Sequence, residues 1–398
     1  MRALRRLVAA TAFAATAAAP WTGGAVTGAA TAVNPLALSF VSASRGFALG
    51  EVGCGAASWC PTLSRTSDAG RTWTTVRLGG GVGRLPGPPP FSQDGVLGVA
   101  FASARDGWIY GWAPASNRAG GVSGLWSTHD AGRTWRRVDL AADGVQSAVL
   151  ALAAAGGRAY LIGGRLDQRY GLWTTTVGRD AWRRVPGVTW LPPAGGAQMT
   201  GAIVLRGRVG WALVGNDRGV TGSSRLLADG RWVHWGAPCA AVGDSYAVPT
   251  ATSARDLEVI CSIGGFGGYS SHPPRGARLG EPWLYASTDA GTTFRPGRRL
   301  GLAPYANAIG TGSSTFVGAA RILLSSSQSH GPSSSPVLLE SRDGGAHFAV
   351  TYRAGADASF TGLEMVSARV GFALVETGRG TYLVRTVDGG RRWIRSAV

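Results

Sequence analysis

The chain has 398 residues, with 62 Gly, 20 Pro, 15 Trp and 4 Cys, and all 39 basic residues are Arg, so the net charge is +17. Hydrophobic residues at 45% and charged residues at 15% exclude a disordered polyelectrolyte, and Gly without a Gly-X-Y period excludes collagen. Abundant Gly opposes long helices, because each interior Gly costs a helix about 1 kcal/mol. A composition rich in Gly, Trp and β-branched residues is typical of an all-β protein.

The first 32 residues have the layout of a secretory signal peptide. Three Arg among the first six residues precede an uncharged, Ala-rich run over residues 7–19, which is too short to span a bilayer. Small-x-small sites follow, so we expect cleavage somewhere within residues 17–32. A buried Ala-rich first helix is the alternative. No later apolar stretch is long enough to span a membrane, and we expect a protein that is secreted and can associate with the cell wall.

The four cysteines predict two disulfides, because an exported protein folds in an oxidising compartment. Four cysteines allow three pairings, and the two local ones are Cys54–Cys60 and Cys239–Cys261. A metal site is the competing interpretation, but the chain has no Cys-x-x-Cys pair and no His at ligand spacing. Neither a metal nor another cofactor is expected.

Five segments share one pattern: Leu, Ser or Thr three residues later, Asp two later, Gly two later, and Trp or Phe three beyond. They begin at Leu63, Leu125, Leu284, Leu338 and Leu383. A sixth copy from Leu172 keeps the frame but has Val177 and Arg179 at the Asp and Gly positions. A seventh from Leu226 replaces the long turn with a tight Asp229-Gly230 hairpin.

A second signal, strand-turn-strand, precedes each of these segments. It is clearest over residues 41–47, 101–108, 205–211 and 366–372, and weaker near Tyr160, Leu257 and Ile322. The two signals alternate with a period of about 52 residues, which gives seven units of four short strands. Seven such sheets bury their faces when they are arranged radially. We therefore predict an all-β, seven-bladed β-propeller of four-stranded antiparallel blades, one domain over residues 35–398.

The pattern Ser/Thr-x-Asp-x-Gly-x-x-Trp/Phe resembles the Asp-box (BNR) repeat of sialidase-like and photosystem II assembly-factor-like propellers. The resemblance covers almost the whole mature chain, and it implies that each motif forms the turn between strands three and four. Its Asp would accept backbone N–H groups, its Gly would take a positive φ, and its aromatic residue would fill the seam between blades. The Asp residues concerned are Asp68, Asp130, Asp289, Asp343 and Asp388. Catalytic or calcium-binding roles are less favoured, since each turn offers one carboxylate.

In an up-and-down blade the 1–2 and 3–4 turns share one face, here called the Asp-box face, whereas the 2–3 loops and 4–1 connections share the other, the loop face. The long irregular segments fall almost entirely on the loop face, among them a 4–1 connection predicted over residues 186–198. Both predicted disulfides also lie on this face, so we expect binding there. Exposed aromatics beside Arg suit sugars, anionic cell-wall polymers or acidic protein surfaces. The candidate binding residues are Trp59, Trp112, Arg118, Trp190, Trp235, Tyr269, Arg275 and Arg278. The alternative is that many of these aromatics pack loops onto the blades.

Sialidase-like enzymes share these repeats, which raises the question of catalysis. If the resemblance extended to catalysis, it would imply three Arg that bind a carboxylate, a Tyr-Glu nucleophile pair and an Asp that acts as the acid. Such enzymes also usually have an Arg-x-Pro motif ahead of the first repeat. The residues before Leu63 contain no such motif, and Arg84-Leu85-Pro86 follows the first repeat. Sialidase propellers also have six blades, whereas the repeats here count seven. These departures disfavour a sialidase.

One carboxylate pair remains a weak candidate for glycoside hydrolysis. Glu51 lies four residues after Phe47, and Glu376 lies four residues after Phe372, so the two acids occupy equivalent positions in blades one and seven. These blades become neighbours when the ring closes, although equivalent points on adjacent blades are wider apart than a hydrolase pair requires. Two solvated acids at strand ends is the simpler interpretation.

The charge of +17 does not by itself predict a nucleic-acid partner, because the Arg residues are spread over every repeat and no nucleic-acid motif appears. Two hypotheses remain. The preferred one is a secreted, monomeric, non-catalytic propeller that binds a protein, a glycan or an anionic cell-wall polymer through its loop face. The alternative is an extracellular glycoside hydrolase that uses carboxylates on the same face. The sequence does not indicate how the ring is closed, since no extra N-terminal strand is available to pair with the last blade.

Overall fold

Seven sheets of four antiparallel strands make up the part of the chain that the structure, a computed structural model, describes. The described residues are 33–55, 58–76, 78, 82, 95–113, 122–145, 149–165, 169–191, 199–216, 219–239, 245–263, 282–302, 314–316, 320–330, 333–355, 358–396 and 398. Residues 32–398 form one unit. The predicted signal segment, residues 1–32, lies outside the described residues.

Each sheet uses four consecutive strands of the chain, the first of which is innermost. Blade 1 consists of β1 (Asn34–Phe40), β2 (Gly46–Gly55), β3 (Ser58–Thr66) and β4 (Thr74–Val76), and blade 2 consists of β5 (Gly95–Phe101), β6 (Gly107–Ala113), β7 (Val122–Thr128) and β8 (Arg136–Arg137). Blade 3 consists of β9 (Val149–Ala155), β10 (Arg158–Gly164), β11 (Tyr170–Thr176) and β12 (Arg183–Trp190). Blade 4 consists of β13 (Thr200–Arg206), β14 (Val209–Asn216), β15 (Gly219–Leu226) and β16 (Trp232–His234).

Blade 5 consists of β17 (Ser245–Ala251), β18 (Leu257–Ile263), β19 (Pro282–Ser287) and β20 (Arg298–Arg299). Blade 6 consists of β21 (Ser314–Phe316), β22 (Ile322–His330), β23 (Ser333–Ser341) and β24 (Ala349–Arg353). Blade 7 consists of β25 (Ala358–Met365), β26 (Gly371–Thr377), β27 (Gly380–Thr386) and β28 (Ile394–Ser396). This is the predicted seven-bladed β-propeller, and the prediction of fold class is confirmed.

The burial pattern explains why the blades pack radially. In β10 the six residues after Arg158 are all buried, because this second strand is covered on both faces by neighbouring blades. The short outermost strands β8 and β20 consist of exposed Arg pairs, which suit a solvated sheet edge. The hydrophobic core therefore lies in the seams between blades, and the interior strands read as near-continuous apolar runs.

Aromatic residues on the second strands fill several of these seams. Phe47 stacks on Phe101 of the next blade with ring centroids 3.4 Å apart, and Trp108 meets Trp182 of its next blade edge-to-face at 6.0 Å. Phe372 continues the pattern across the closing seam, where it contacts Phe40. Each such pair buries large apolar surfaces and adds a directional ring contact.

Hydrogen bonds place two kinds of turn on the same face in five of the blades. The Ala69 N–H donates to the Ser44 carbonyl at 2.9 Å, which joins the 3–4 turn of blade 1 to its 1–2 turn. The equivalent bond recurs in four other blades. These are Ala131 N to Arg105 O, Ala290 N to Arg255 O, Gly344 N to Ala320 O and Gly389 N to Arg369 O. These turns form the Asp-box face.

Five Asp side chains are hydrogen-bonded within the 3–4 turns. Asp68 accepts the N–H groups of Arg71 and Thr72 at 2.9 Å each, and the Thr72 hydroxyl at 2.6 Å. Thr66 donates its hydroxyl to Asp68 at 2.8 Å and accepts the Gly70 N–H at 2.9 Å. These bonds hold the pKa of Asp68 well below its ordinary value. Asp130, Asp289, Asp343 and Asp388 make the corresponding bonds in their own turns.

The ring closes without exchange of a strand between its ends, since β1–β4 form one blade and β25–β28 form another. Side chains join the two blades instead. Arg385 donates from Nη1 to the Ala69 carbonyl at 2.9 Å, and the Ser396 hydroxyl donates to the Gly70 carbonyl at 2.6 Å. The chain ends are therefore held by packing and by polar contacts.

The Cys239–Cys261 disulfide is present and buried. Cys239 follows the last strand of blade 4, and Cys261 lies on β18 of blade 5, so the bond ties a connection between blades to the sheet that it enters. Cys60 is also disulfide-bonded, whereas the Cys54 side chain lies outside the described residues. The pairing Cys54–Cys60 stays a prediction.

Candidate functional site

Most of the predicted loop-face binding residues cannot be placed by their side chains. Trp59 and Trp112 belong to β3 and β6, but their side chains lie outside the described part of the structure. Arg118, Tyr269, Arg275 and Arg278 also lie outside the described residues. Their role in binding remains a prediction.

The prediction that Trp190 and Trp235 are exposed is wrong, because both fill seams between blades. Trp190 is the last residue of β12 and 5% exposed, and it packs so closely on Gly222 that a Cβ there would overlap the ring. Trp235 is 3% exposed and donates from Nε1 to the Gly291 carbonyl of blade 5 at 3.0 Å. The predicted connection over residues 186–198 starts too early, because β12 continues to Trp190.

The two candidate acids Glu51 and Glu376 lie on the second strands of blades 1 and 7. Glu51 pairs in register with Asn34 and Pro61, and Glu376 pairs with Ser359 and Thr381. Burial raises the pKa of Glu51. Neither acid lines the cavity described next.

A cavity of about 420 Å³ opens at the Asp-box face, where the innermost strands end. We call it the channel-mouth cavity. Its lining residues come from the ends of β1, β13, β17 and β25 and from the turns that follow β1, β17 and β25. They are Phe40, Val41, Ser42, Arg206, Ala251, Thr252, Glu364, Met365, Val366, Ser367 and Ala368. Because these strands belong to blades 1, 4, 5 and 7, the cavity spans the central channel of the ring.

Arg206 is the basic residue of this lining. It is the last residue of β13, and it donates from Nε to the Ala251 carbonyl at 2.6 Å and from Nη1 to the Leu205 carbonyl at 2.9 Å. The first bond crosses from blade 4 to blade 5. Two backbone carbonyls therefore fix the guanidinium, which reduces the entropy that it would lose on binding a ligand.

Two carboxyl groups accompany Arg206. Glu364 of β25 lines the cavity from blade 7, and burial raises its pKa to about 7 against an opposing effect of Arg206. Glu258 of β18 is 3% exposed, and burial raises its pKa to about 7 as well, with a further contribution from Asp256. Its Oε2 atom is buried without a hydrogen-bond partner among the described residues.

Glu258 is unusual for its place in the repeat. It lies opposite Thr250 in the second residue pair of the β17–β18 ladder, counted from the turn that joins these two strands. The same rung holds Phe47, Trp108 and Phe372 in blades 1, 2 and 7. An acid thus replaces a seam aromatic near the cavity.

The cavity combines one cation, one carboxyl group on the opposite wall, hydroxyl groups and an apolar rim. This set suits recognition of a small polar molecule, because charged and apolar groups converge from several blades. No group of three potential metal-ligating side chains occurs in the described part of the chain. The described helices include none that is long and apolar enough to cross a membrane.

Sequence reasoning missed these residues because they lie at strand ends far apart in the chain. Arg206 lies within the strand-turn-strand signal over residues 205–211, and Glu364 lies just before the signal over residues 366–372, where polar residues are ordinary. Glu258 did carry a readable signal, since it stands at a repeat position that is aromatic in other blades. The exposed turn arginines Arg105, Arg255 and Arg369 also recur at equivalent positions, so the repeat gathers them on the Asp-box face.

No family model matches the chain, and no curated protein matches it by sequence. Solved structures do match. "YCF48 bound to D1 peptide" is 16% identical with a TM-score of 0.54, over 90% of this chain and 94% of that chain. "YCF48 from Cyanidioschyzon merolae" is 13% identical with a TM-score of 0.55, over 90% and 96%. An ulvan lyase of polysaccharide lyase family 25 is 12% identical with a TM-score of 0.56, over 92% and 96%. At these identities the likeness shows a β-propeller fold.

Proposed function

We propose that this chain is a secreted, non-catalytic β-propeller that binds a protein, a glycan or an anionic cell-wall polymer through its loop face. The observation that carries the proposal is an asymmetry between the two faces. On the Asp-box face, the 1–2 turns are short, such as residues 41–45 and 102–106. On the loop face, β4 is separated from β5 by residues 77–94, and β18 from β19 by residues 264–281.

Rigid scaffolds with long connections on one face are a common basis of recognition, because the loops vary without cost to the core. The scaffold here supports that arrangement on its loop side. The buried Cys239–Cys261 bond anchors the connection that enters blade 5 and the strand from which residues 264–281 depart. Those residues include Tyr269, Arg275 and Arg278, whose rings and guanidinium groups suit sugars and anionic polymers.

The similar structures include a peptide-bound protein and a polysaccharide lyase, so they are compatible with a protein or a glycan partner. A glycoside hydrolase is the second candidate. The observation that favours it is the raised pKa of Glu51, a property that suits a general acid. In that case Glu376 would be its partner across the seam between blades 1 and 7.

The proposal is tested by measuring the binding of the mature protein to a glycan array that includes anionic polysaccharides. The test variant replaces residues 264–281 by a short Gly-Ser linker, and the matched control carries Arg105→Ala and Arg255→Ala on the Asp-box face. We expect the loop variant to lose binding by at least about tenfold, a change of about 1.4 kcal/mol, at an unchanged unfolding temperature. Equal binding by the loop variant contradicts the proposal.

Product analysis on the bound glycans separates the two candidates. The proposal predicts no cleavage. Cleavage that is abolished by Glu51→Gln or Glu376→Gln would instead establish the hydrolase. A carboxylate-dependent reaction typically loses several orders of magnitude in rate when its acid is removed, so the assay has a clear readout.

A further inference from the structure

We propose that the channel-mouth cavity binds a small zwitterion of amino-acid size, whose carboxylate pairs with Arg206 and whose ammonium group pairs with Glu364. The site lies on the Asp-box face, so it is separate from the loop-face binding proposed above and does not depend on it. The cavity, the fixed guanidinium and the facing carboxyl group carry the inference.

The two charged residues face each other without forming an ion pair. Arg206 lies on blade 4 and Glu364 on blade 7, and these blades are not neighbours in the ring. Each affects the other electrostatically, yet no salt bridge joins these two described side chains. A molecule that carries both charges can therefore bridge the two walls, which neither side chain does alone.

Arg206 is arranged to receive a carboxylate. Nε and one Nη1 proton are taken by the carbonyls of Ala251 and Leu205, which hold the side chain in place. The remaining N–H groups, on Nη1 and Nη2, are the ones that a ligand carboxylate can accept from. Glu258, a second carboxyl group within electrostatic reach of Arg206, opposes a ligand that brings negative charge alone.

Glu364 supplies the opposite preference. Its carboxylate favours an ammonium group, and it disfavours a second carboxylate in the same space. A lone metal cation is opposed by Arg206 for the same reason. Of the simple charge types, a zwitterion is the one that satisfies both walls at once.

The rest of the lining indicates the size and polarity of the ligand. Phe40, Met365 and Val366 give the cavity an apolar side that suits a hydrocarbon side chain. Ser367 accepts the N–H of Val370 at 3.0 Å through Oγ, so its own O–H remains a donor that can face a ligand oxygen. A volume of about 420 Å³ holds an amino acid and not a folded partner.

The test is isothermal titration of the mature protein with a matched series of probes at pH 8. Leucine carries both charges, 4-methylpentanoate lacks the ammonium group, and 3-methylbutylamine lacks the carboxylate. We expect leucine to bind with a Kd on the order of 1 mM and each analogue to bind at least about tenfold more weakly. A series in which either analogue binds as well as leucine, or in which no probe saturates, overturns the proposal.

Two isosteric variants assign the charges. Glu364→Gln should abolish the preference for leucine over 4-methylpentanoate, whereas Arg206→Gln should abolish the preference over 3-methylbutylamine. Arg208→Gln, in the adjacent turn and outside the lining, is the matched control and should bind like the parent protein. If Arg206→Gln fails to fold because it loses its two backbone bonds, Glu364→Gln still decides. Unchanged preferences in Glu364→Gln overturn the assignment.

Discussion

Phe40 and Phe372 stack with ring centroids 4.1 Å apart across the seam between the first and last blades. Phe372 is fully buried, and a Cβ at Gly70 of the next blade would collide with its ring. Because the ends of the ring share no strand, this stack is a main apolar contact that closes it.

Truncating the stack should therefore weaken closure. We expect Phe372→Ala to lower the free energy of unfolding by about 3–5 kcal/mol, as for other large core truncations. In a double-mutant cycle with Phe40→Ala, the coupling should be on the order of 1 kcal/mol. Urea unfolding measures both values. Additive losses would mean that the stack contributes no pairwise energy to closure.

Three alanines in the 3–4 turns adopt left-handed backbone conformations. Ala69, Ala131 and Ala290 have φ values of 60°, 65° and 60°, whereas blades 6 and 7 have Gly344 and Gly389 at the same position. A non-glycine residue in the left-handed region costs roughly 1–2 kcal/mol, and Ala69→Gly relieves this strain. Glycine loses more conformational entropy on folding, which offsets part of the gain. We therefore expect Ala69→Gly to raise the free energy of unfolding by a fraction of that amount.

Gly344 is the matched control for this prediction. Gly344→Ala should lower stability, because Gly344 has a φ of 71°, which is unfavourable for alanine. The nearest atom to the new Cβ is at the flexible end of Arg298 and can move away, so the backbone conformation is the main cause of the loss. Thermal unfolding of both variants measures the effect. A stabilising Gly344→Ala, or a destabilising Ala69→Gly, would show that φ strain does not govern these turns.

The buried Glu258 should make stability depend on pH. Its pKa in the folded state is raised to about 7 from 4.5, so the folded protein binds more protons between these values, and stability falls as pH rises through this range. Glu258→Gln removes the titration. We expect its advantage over the parent to grow by on the order of 2–3 kcal/mol from pH 4 to pH 8.

Glu258→Leu gives an independent check, because blade 6 has Leu323 at the same rung. It should remove the same pH dependence. Denaturant unfolding from pH 4 to pH 8 supplies the readout. Parallel stability curves for the parent and both variants would show that Glu258 stays ionised in the folded protein.

The Cys239–Cys261 bond closes a loop with a sequence separation of 22 residues. Loop closure of this size restricts the unfolded chain, and we expect the double variant Cys239→Ala, Cys261→Ala to lose about 2–4 kcal/mol. Since both sulfurs are buried, mild reductant should act slowly on the native protein. The unfolding midpoint measured with and without the double substitution tests this, and equal midpoints would contradict it.

The seven-bladed architecture was predictable because the repeat is periodic at the level of turns. A Ser or Thr, an Asp and a Gly at fixed spacing specify one hydrogen-bonded turn, and five copies fix the number of blades when the degenerate copies from Leu172 and Leu226 are added. Strand ends were less predictable. The sequence predicts a connection from Pro186 onward, yet β12 includes this residue and continues to Trp190.

The channel-mouth cavity was not predictable from local pattern, because its charge pair arises from ring closure. Arg206 and Glu364 come from blades 4 and 7, and only the radial arrangement brings them to one opening. The closing seam was equally hidden, since Phe40 and Phe372 look like ordinary strand residues. The loop-face residues were identified from the topology of the blades, which assigns the long loops to one face, and from the aromatic and Arg side chains in those loops.

Hydrogen exchange with and without the glycan or protein that binds most tightly tests the central proposal most directly. If the loop face binds the partner, protection is concentrated in the long connections of that face, including residues 264–281, with little change in the 1–2 and 3–4 turns. Protection confined to those turns, or cleavage of the bound molecule during the experiment, would contradict it.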